Sequence, residues 1–390
     1  MFKQNLGVVL ALAIAAAAVG AVPPVRSELT VHEWGTFTTV AGEDGQAVAW
    51  RPLDGPVDLP CFVERADLPP KVSLATTVRM ETPVIYFYAP QPLTVDVAVG
   101  FRQGLMTEFF PRPSSSGERR TGWFSPATMG HLEWNGIRVS PGSAADYPSE
   151  GAPNHYYAAR AANGAPIQVG AQREGFLFYR GVGGFELPLR ATVSRDQVVE
   201  IRNDESDPIP ALMFFENRGG RIGSWTSRLP GQTITVPPLR LDSDITAVHS
   251  ALVDMLIGEG LYRKEAEAMI ETWRDSWFEE GTRVFYVVPK PLVDSTLPLS
   301  IQPRPGAVER VFVGRLEIAT PWLLDDLRKA FAVLDHETIA ARGRFLEPFS
   351  RRILNSALAA DERARILDVL TETTAASLTH VARPCDTTTP

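Results

Sequence analysis

Through the first 240 residues apolar and polar positions alternate in short runs, the period-two pattern of strands with one buried face. Leu29 to Thr39 is the first such run. It sets His32, Trp34, Thr36 and Thr38 on one side and Val31, Glu33 and Phe37 on the other. Val78 to Tyr88 follows, with Arg79, Glu81, Ile85 and Phe87 on a common face in a regular strand. Val95, Val97 and Val99 mark a half-buried antiparallel strand over Leu93 to Phe101. His131 to Val139, Tyr156-Tyr157, Phe176 to Tyr179 and Leu187 to Val193 continue the pattern, separated by polar loops at Pro111 to Gly122 and Pro141 to Asn154. From Val198 to Val236 the rhythm of short strands and Gly/Pro turns suits an immunoglobulin-like layer.

Near Asp242 the period changes. Ser243 or Asp244 can cap a helix whose inner face is Ile245, Val248, Leu252 and Leu256, and Gly258 and Gly260 break it. Lys264 to Glu280 reads as a second helix, because Met269, Trp273 and Trp277 recur one turn apart. Gly281 can close it in a left-handed conformation. Thr282 to Val288 is apolar on both parities and should be a strand covered on both faces. The proline-rich Lys290 to Gly306 joins it to a strand at Val308 to Ile318, and helices follow at Leu323–Leu334, Arg344–Leu358 and Asp361–Leu378. The expected fold is mainly β, antiparallel and sandwich-like, with a helix-rich C-terminal part, α+β overall. The expected division is a signal segment at 1–21, a β-rich region at 28–240 with a break near 185, and an α+β region at 241–390.

The first 21 residues change the picture of where the chain acts. Lys3 precedes an apolar stretch from Leu6 to Ala18, and Val19-Gly20-Ala21 offers small residues for cleavage, so the pattern predicts export to the periplasm or beyond, with retention as an anchor the alternative. The net charge of −8 disfavours nucleic acid as a partner. An exported chain can form disulfides, and Cys61 and Cys385 are its two cysteines; a bridge between them and two free thiols both stay open.

Three strings carry a resemblance: Val31-His32-Glu33-Trp34-Gly35-Thr36-Phe37, Met80 to Tyr88 (METPVIYFY), and Thr272 to Gly281 (TWRDSWFEEG). Over about Leu29 to Pro321 the chain resembles a group of uncharacterised exported bacterial proteins. The resemblance implies secretion and a shared fold, and it carries over no catalytic residue.

No hydrolase signature is present. Gly-x-Ser-x-Gly is absent, and His336-Glu337 is followed at the next ligand position by Ala340. Gly181 to Gly184 leads into no helix and reads as a turn. The six histidines have no mutual short spacing; a metal would need His32, His155 and a carboxylate such as Glu33 or Glu81 to converge, so the expectation is no metal and no cofactor. The better-shaped signal is a pair of Arg-x-Glu elements, Arg79/Glu81 and Arg315/Glu317, each on one strand face and each followed by Thr-Pro. They read as ion pairs fixing strands, with a ligand-facing cleft as the alternative, since buried charges must be paired. Glu279 and Glu280 near Arg283, Asp275, Trp273 and Trp277 place carboxylates beside aromatics, which keeps a saccharide site open.

These observations predict an exported envelope protein of binding or structural type. The alternative is a saccharide or ester hydrolase working through Glu81, Glu317, His32 or His155. Arg79, Arg315, Trp34, Tyr157 and Arg180 are the candidate binding residues, toward a saccharide or an envelope protein.

Overall fold

The computed structural model describes residues 28–53, 58–66, 75–119, 124–144, 146–229 and 231–379. The expected signal segment and Cys385 lie outside the described residues.

A nine-stranded sheet organises the chain. Its strands are β1 (Thr30–Ala41), β2 (Glu64–Arg65), β3 (Val78–Tyr88), β4 (Gly104–Phe110), β5 (Leu177–Gly183), β6 (Ile209–Arg218), β7 (Arg221–Leu229), β8 (Gly281–Val287) and β9 (Ala307–Ile318). The spatial order is β7-β6-β8-β9-β1-β3-β5-β4-β2. All neighbours are antiparallel except β1 and β9, which run parallel from Thr30↔Ala307 to Ala41↔Ile318. The sheet therefore takes strands from both sides of residue 241, and the first strand lies at its centre. Such a strand is buried on both faces, which explains why β1 combines β-branched residues, aromatics and few charges.

Two smaller sheets cover one face. One contains Leu93–Arg102, Ser115–Arg119, Met129–Val139, Ile167–Val169, Gln172–Glu174 and Leu299–Gln302; the other contains Leu189–Val193, Val199–Asn203 and Thr233–Thr235. Val95, Val97, Val99 and Trp134 from the first, and Leu189 and Ile201 from the second, share one core with Phe37, Ile85, Phe87 and Leu316 of the large sheet. Sheet thus packs on sheet, as the alternation predicts. The expected immunoglobulin-like layer over 198–236 does not form as a unit: Val199–Asn203 and Thr233–Thr235 join a small sheet, while β6 and β7 extend the large one.

Helices cover the opposite face in two groups. The first is α1 (Ile245–Gly258), capped by Asp244, with α2 (Arg263–Thr272) and the short α3 (Arg274–Trp277); they pack on Trp34, Val84, Met213, Phe285 and Val313. After α4 (Lys290–Thr296) and β9, the second group is α5 (Pro321–Val333), α6 (His336–Ala340), α7 (Leu346–Leu354) and α8 (Ala360–Thr379). Leu323, Leu327, Phe345 and Phe349 pack there against Val40 and Trp50.

Four local expectations are corrected. The tryptophan helix does not run unbroken to Glu280: Trp273 leaves helical geometry with φ −108 and ψ 9, and the chain restarts as α3. Met269, Trp273 and Trp277 still bury together, as their spacing demands. His155–Ala161, which contains Tyr156-Tyr157, is a 3-10 helix and not a strand. The linker at 290–306 holds α4 and a strand, and the loop at 111–122 holds Ser115–Arg119, because both prolines and polar residues are tolerated in short edge pieces.

The fourth correction matters most for the site. Thr82 sits at φ 44 within β3, and the pairing with β1 shifts there, from Trp34↔Val84 to Thr36↔Glu81. Gly35 of β1 thus stands against both Thr82 and Pro83 of β3, a bulge that reverses which side chains face which way. Arg79 and Glu81 therefore share a face with Val84 and Tyr86, while Ile85 and Phe87 point to the opposite core.

Candidate functional site

The bulge completes a belt of charge across the helix-covered face. At its centre β1 presents two short side chains, Thr36 and Thr38. Arg79 and Glu81 come from β3, Arg180 from β5, Arg315 and Glu317 from β9, and Arg283 from β8. All six are nine-tenths buried or more. The belt meets both helix groups: Arg283 reaches the end of α3, and Arg344, just before α7, reaches Glu81.

Each carboxylate in it is clamped. Glu81 accepts from Thr38 Oγ1 at 3.0 Å, lies 3.1 Å from Arg79 Nε and also pairs with Arg344. Glu317 Oε1 is 2.6 Å from Arg315 Nε and 2.9 Å from Arg283 Nε. Arg315 reaches Glu279 Oε1 at 2.8 Å. Arg283 donates to the carbonyls of Glu279 at 2.9 Å and Glu280 at 3.3 Å and to that of Trp277, closing the end of α3. Arg180 donates through Nη1 to Asp58 Oδ1 at 2.8 Å, and His155 Nε2 lies 3.7 Å from Asp58 Oδ2. Five arginines thus face four acids in three ion-paired groups, coupled by longer-range charge: Arg79 also acts on Asp58, and Arg315 on Glu81.

Electrostatics follow from this pairing. Burial alone would raise the Glu81 pKa, but Arg344, Arg79 and Arg315 outweigh it and hold the carboxyl below its ordinary value. Asp58 behaves alike: burial pushes its pKa up, while Arg180 and Arg79 bring it well below the usual carboxylate range. For His155 burial dominates and lowers the pKa, only partly offset by Asp58. The belt therefore carries fixed charges and a neutral imidazole near neutral pH.

Several hydrogen-bond donors around the belt lack partners. Arg180 is 1% exposed, yet its Nε and Nη2 bond to nothing. Among the described residues Arg315 Nη1, Trp273 Nε1 and Trp277 Nε1 are buried without partners too, as are Thr36 Oγ1 and His155 Nε2. Three of them are neighbours: the Arg180 guanidinium lies 5.8 Å from the Trp273 ring, and His155 lies 5.9 Å from that ring. Buried polar groups are normally satisfied, so a local concentration of open donors requires an explanation.

Among the predicted residues, Arg79, Glu81, Arg180, Arg315, Glu317 and His155 come together, with Trp34 on the same face. His32 does not join them. Its Nδ1 lies 2.8 Å from Glu265 Oε2, inside a separate cluster with Tyr88 and Tyr262. Tyr157 stands elsewhere as well, 4.6 Å from the Arg160 guanidinium and stacked on Phe62. The converging set His32, His155 and Glu33 is not assembled: Glu33 points to the opposite core, where Arg310 and Tyr179 hold it. Among the described residues no group of three or more His, Cys, Asp or Glu side chains could hold a metal ion. Sequence reasoning missed Asp58 and Arg344. Asp58 lies in a loop, and Arg344 sits 263 residues from Glu81, so neither has a periodicity to reveal it.

No protein-family model matches the chain, and no curated protein does. Among solved structures it is similar to the yeast delta-COP-I mu-homology domain complexed with the Dsl1 WxWxV peptide, at 9% identity over 76% of this chain and 97% of that one, with a TM-score of 0.26. It is similar also to the Fcho1 mu-homology domain of Danio rerio with bound Eps15 peptide, at 7% identity over 75% of this chain and 97% of that one, with a TM-score of 0.28. Likenesses of this strength carry no argument about function, and the reading below rests on the residues of this chain.

Proposed function

We propose that the chain is an exported binding protein of the cell envelope whose belt receives a ligand bearing an oxyanion, with an acidic saccharide as the favoured class. One observation carries this reading. Arg180 keeps two N–H donors open among the described residues, and its guanidinium lies 5.8 Å from the ring of Trp273, whose indole N–H is open as well; a carboxylate or phosphate is the ligand that accepts from such donors. The Trp273 indole beside Arg180 suits a sugar ring carrying that acid. In this reading the Arg79–Glu81 and Arg315–Glu317 pairs are framework, holding strands and fixing the neighbouring donors.

A hydrolase acting through paired carboxylates finds less support. Such a reaction needs one carboxyl kept protonated as the general acid. Glu81 and Asp58 are instead held ionised by arginines.

Calorimetric titration of the mature protein with galacturonate and with galactose tests the proposal. Saturable binding of the acid, absent for the neutral sugar, is the expected result. Arg180→Lys removes the forked donor geometry and should weaken binding at least about tenfold. If galacturonate and inorganic phosphate both fail to bind the folded parent, the proposal is overturned.

A further inference from the structure

A cavity lies on the other face of the large sheet from the belt, where β6 and β8 meet the three-stranded sheet and the start of α5. Its volume is about 460 Å³, within the range of small-molecule sites. Phe214, Val199, Val236 and Leu239 make its walls apolar. Among the polar groups that interrupt them, two lack partners among the described residues. Thr282 is 0% exposed and its hydroxyl bonds to nothing; the Trp322 Nε1 is buried and equally without a partner.

The register explains why a polar residue stands there. Thr282 pairs with Glu216 of β6 and with Ile318 of β9, so it faces the same side as Glu216 and points into the space between the sheets. A valine would fill that volume without leaving a hydroxyl unpaired in an apolar wall. At the mouth, Arg218 stacks 4.7 Å from the Trp322 ring and is already paired with Glu216, while Asp196 adds a second acid. Two acids against one arginine disfavour an anion.

From this we infer that the cavity binds a neutral, largely apolar small molecule whose carbonyl or ether oxygen accepts from Trp322 Nε1 and the Thr282 hydroxyl. The inference is independent of the belt, which selects for the opposite charge type.

Nile red, a neutral apolar dye with a ring carbonyl, is a suitable probe, read by its fluorescence rise in titrations of the full mature chain. One saturable site per chain is expected. Thr282→Val and Trp322→Phe keep the shape and remove one donor each, so each should weaken dye binding by about two- to tenfold, the span of one neutral hydrogen bond, at an unchanged melting temperature. Val198→Trp, at the exposed rim (47%), should occlude the mouth and abolish the site. Absence of saturable binding by the parent overturns the inference. So does equal affinity in all three variants, which means that the dye adsorbs elsewhere. A twofold excess of galacturonate should leave the dye titration unchanged; competition between the two overturns the assignment of separate sites.

Discussion

Arg79 and Arg315 both stand opposite Thr38, one from the antiparallel neighbour of β1 and one from its parallel neighbour. Each arginine then pairs with the glutamate two residues on, at 3.1 Å in one strand and 2.6 Å in the other. The two Arg-x-Glu elements are therefore the flanks of one strand, at one level of one sheet. Their equivalence is incomplete. Glu317 is shared between Arg315 and Arg283, whereas Glu81 draws Arg344 from the C-terminal helix group onto the sheet.

Removing the Glu81 charge should therefore undo more than one pair. Arg79 and Arg344 would both lose their buried counter-charge, and one amide oxygen would be left where two carboxylate oxygens accept from them and from Thr38. Breaking a buried pair in this way costs about 3–5 kcal/mol. Glu81→Gln is expected to lower the stability measured by urea unfolding by about that amount. A melting temperature equal to that of the parent would mean that Glu81 is held for a ligand and not for the fold.

The pH dependence has a definite sign. Asp58 and Glu81 have folded pKa values below their ordinary 3.8 and 4.5, so the stability they contribute is present above those values and is lost as pH falls through the folded ones. His155, lowered from 6.5, acts in the same direction, because the unfolded chain takes up its proton first. Stability should thus be level above about pH 7, decline gently below 6.5, and fall steeply below 4.5. His155→Gln should remove the gentle part alone, which thermal unfolding across pH 4–8 would reveal as a flatter profile.

Much of this was legible in the chain because period is a local property. The alternation of Val95, Val97 and Val99, the cap at Asp244 and the double-sided burial of β8 follow from sequence, and the structure has them. Pairing is not local. Nothing in the period of residues 30–41 says that the strand will lie between 78–88 and 307–318, and that placement joins the two Arg-x-Glu elements. The bulge at Thr82 is a second such case. A threonine before proline is no signal for φ 44, yet that one residue moves Ile85 and Phe87 away from the charged face. Loop residues such as Asp58 contribute chemistry without any pattern at all.

The tryptophan pair separates packing from donation. Trp277 is 0% exposed and lies 4.8 Å from the Phe285 ring. Trp277→Ala should cost about 3–5 kcal/mol, as other large core truncations do. Trp273→Phe keeps most of the packing and deletes the N–H near Arg180. It should leave the unfolding midpoint nearly unchanged and weaken galacturonate binding by about two- to tenfold. Loss of stability without loss of binding in that variant would make Trp273 a core residue only.

Export has its own signature. N-terminal sequencing of the secreted material is expected to start after Ala21, and an intact Met1 in the membrane fraction would make the chain an anchored one. Cys61 is disulfide-bonded, and the chain holds one other cysteine, Cys385. Thiol titration of the unfolded, unreduced protein should accordingly find no free thiol. One or two titratable thiols would contradict the bond.

Gly281 supplies the last test, because two constraints meet there. Its φ of 138 is a conformation that side chains rarely adopt, and a Cβ at this position would lie 2.7 Å from Arg283 Nη2. The first constraint costs about 1–2 kcal/mol in any background. The second arises only while the Arg283 guanidinium occupies the space beside the strand, donating to the carbonyls of Glu279 and Glu280. Gly281→Ala should therefore destabilise the parent by more than about 2 kcal/mol and the Arg283→Met background by only about 1–2. The difference between the two penalties, read from urea unfolding of the four proteins, measures how tightly that guanidinium is held. Equal penalties would show that the strain is in the backbone alone and that Arg283 moves aside freely.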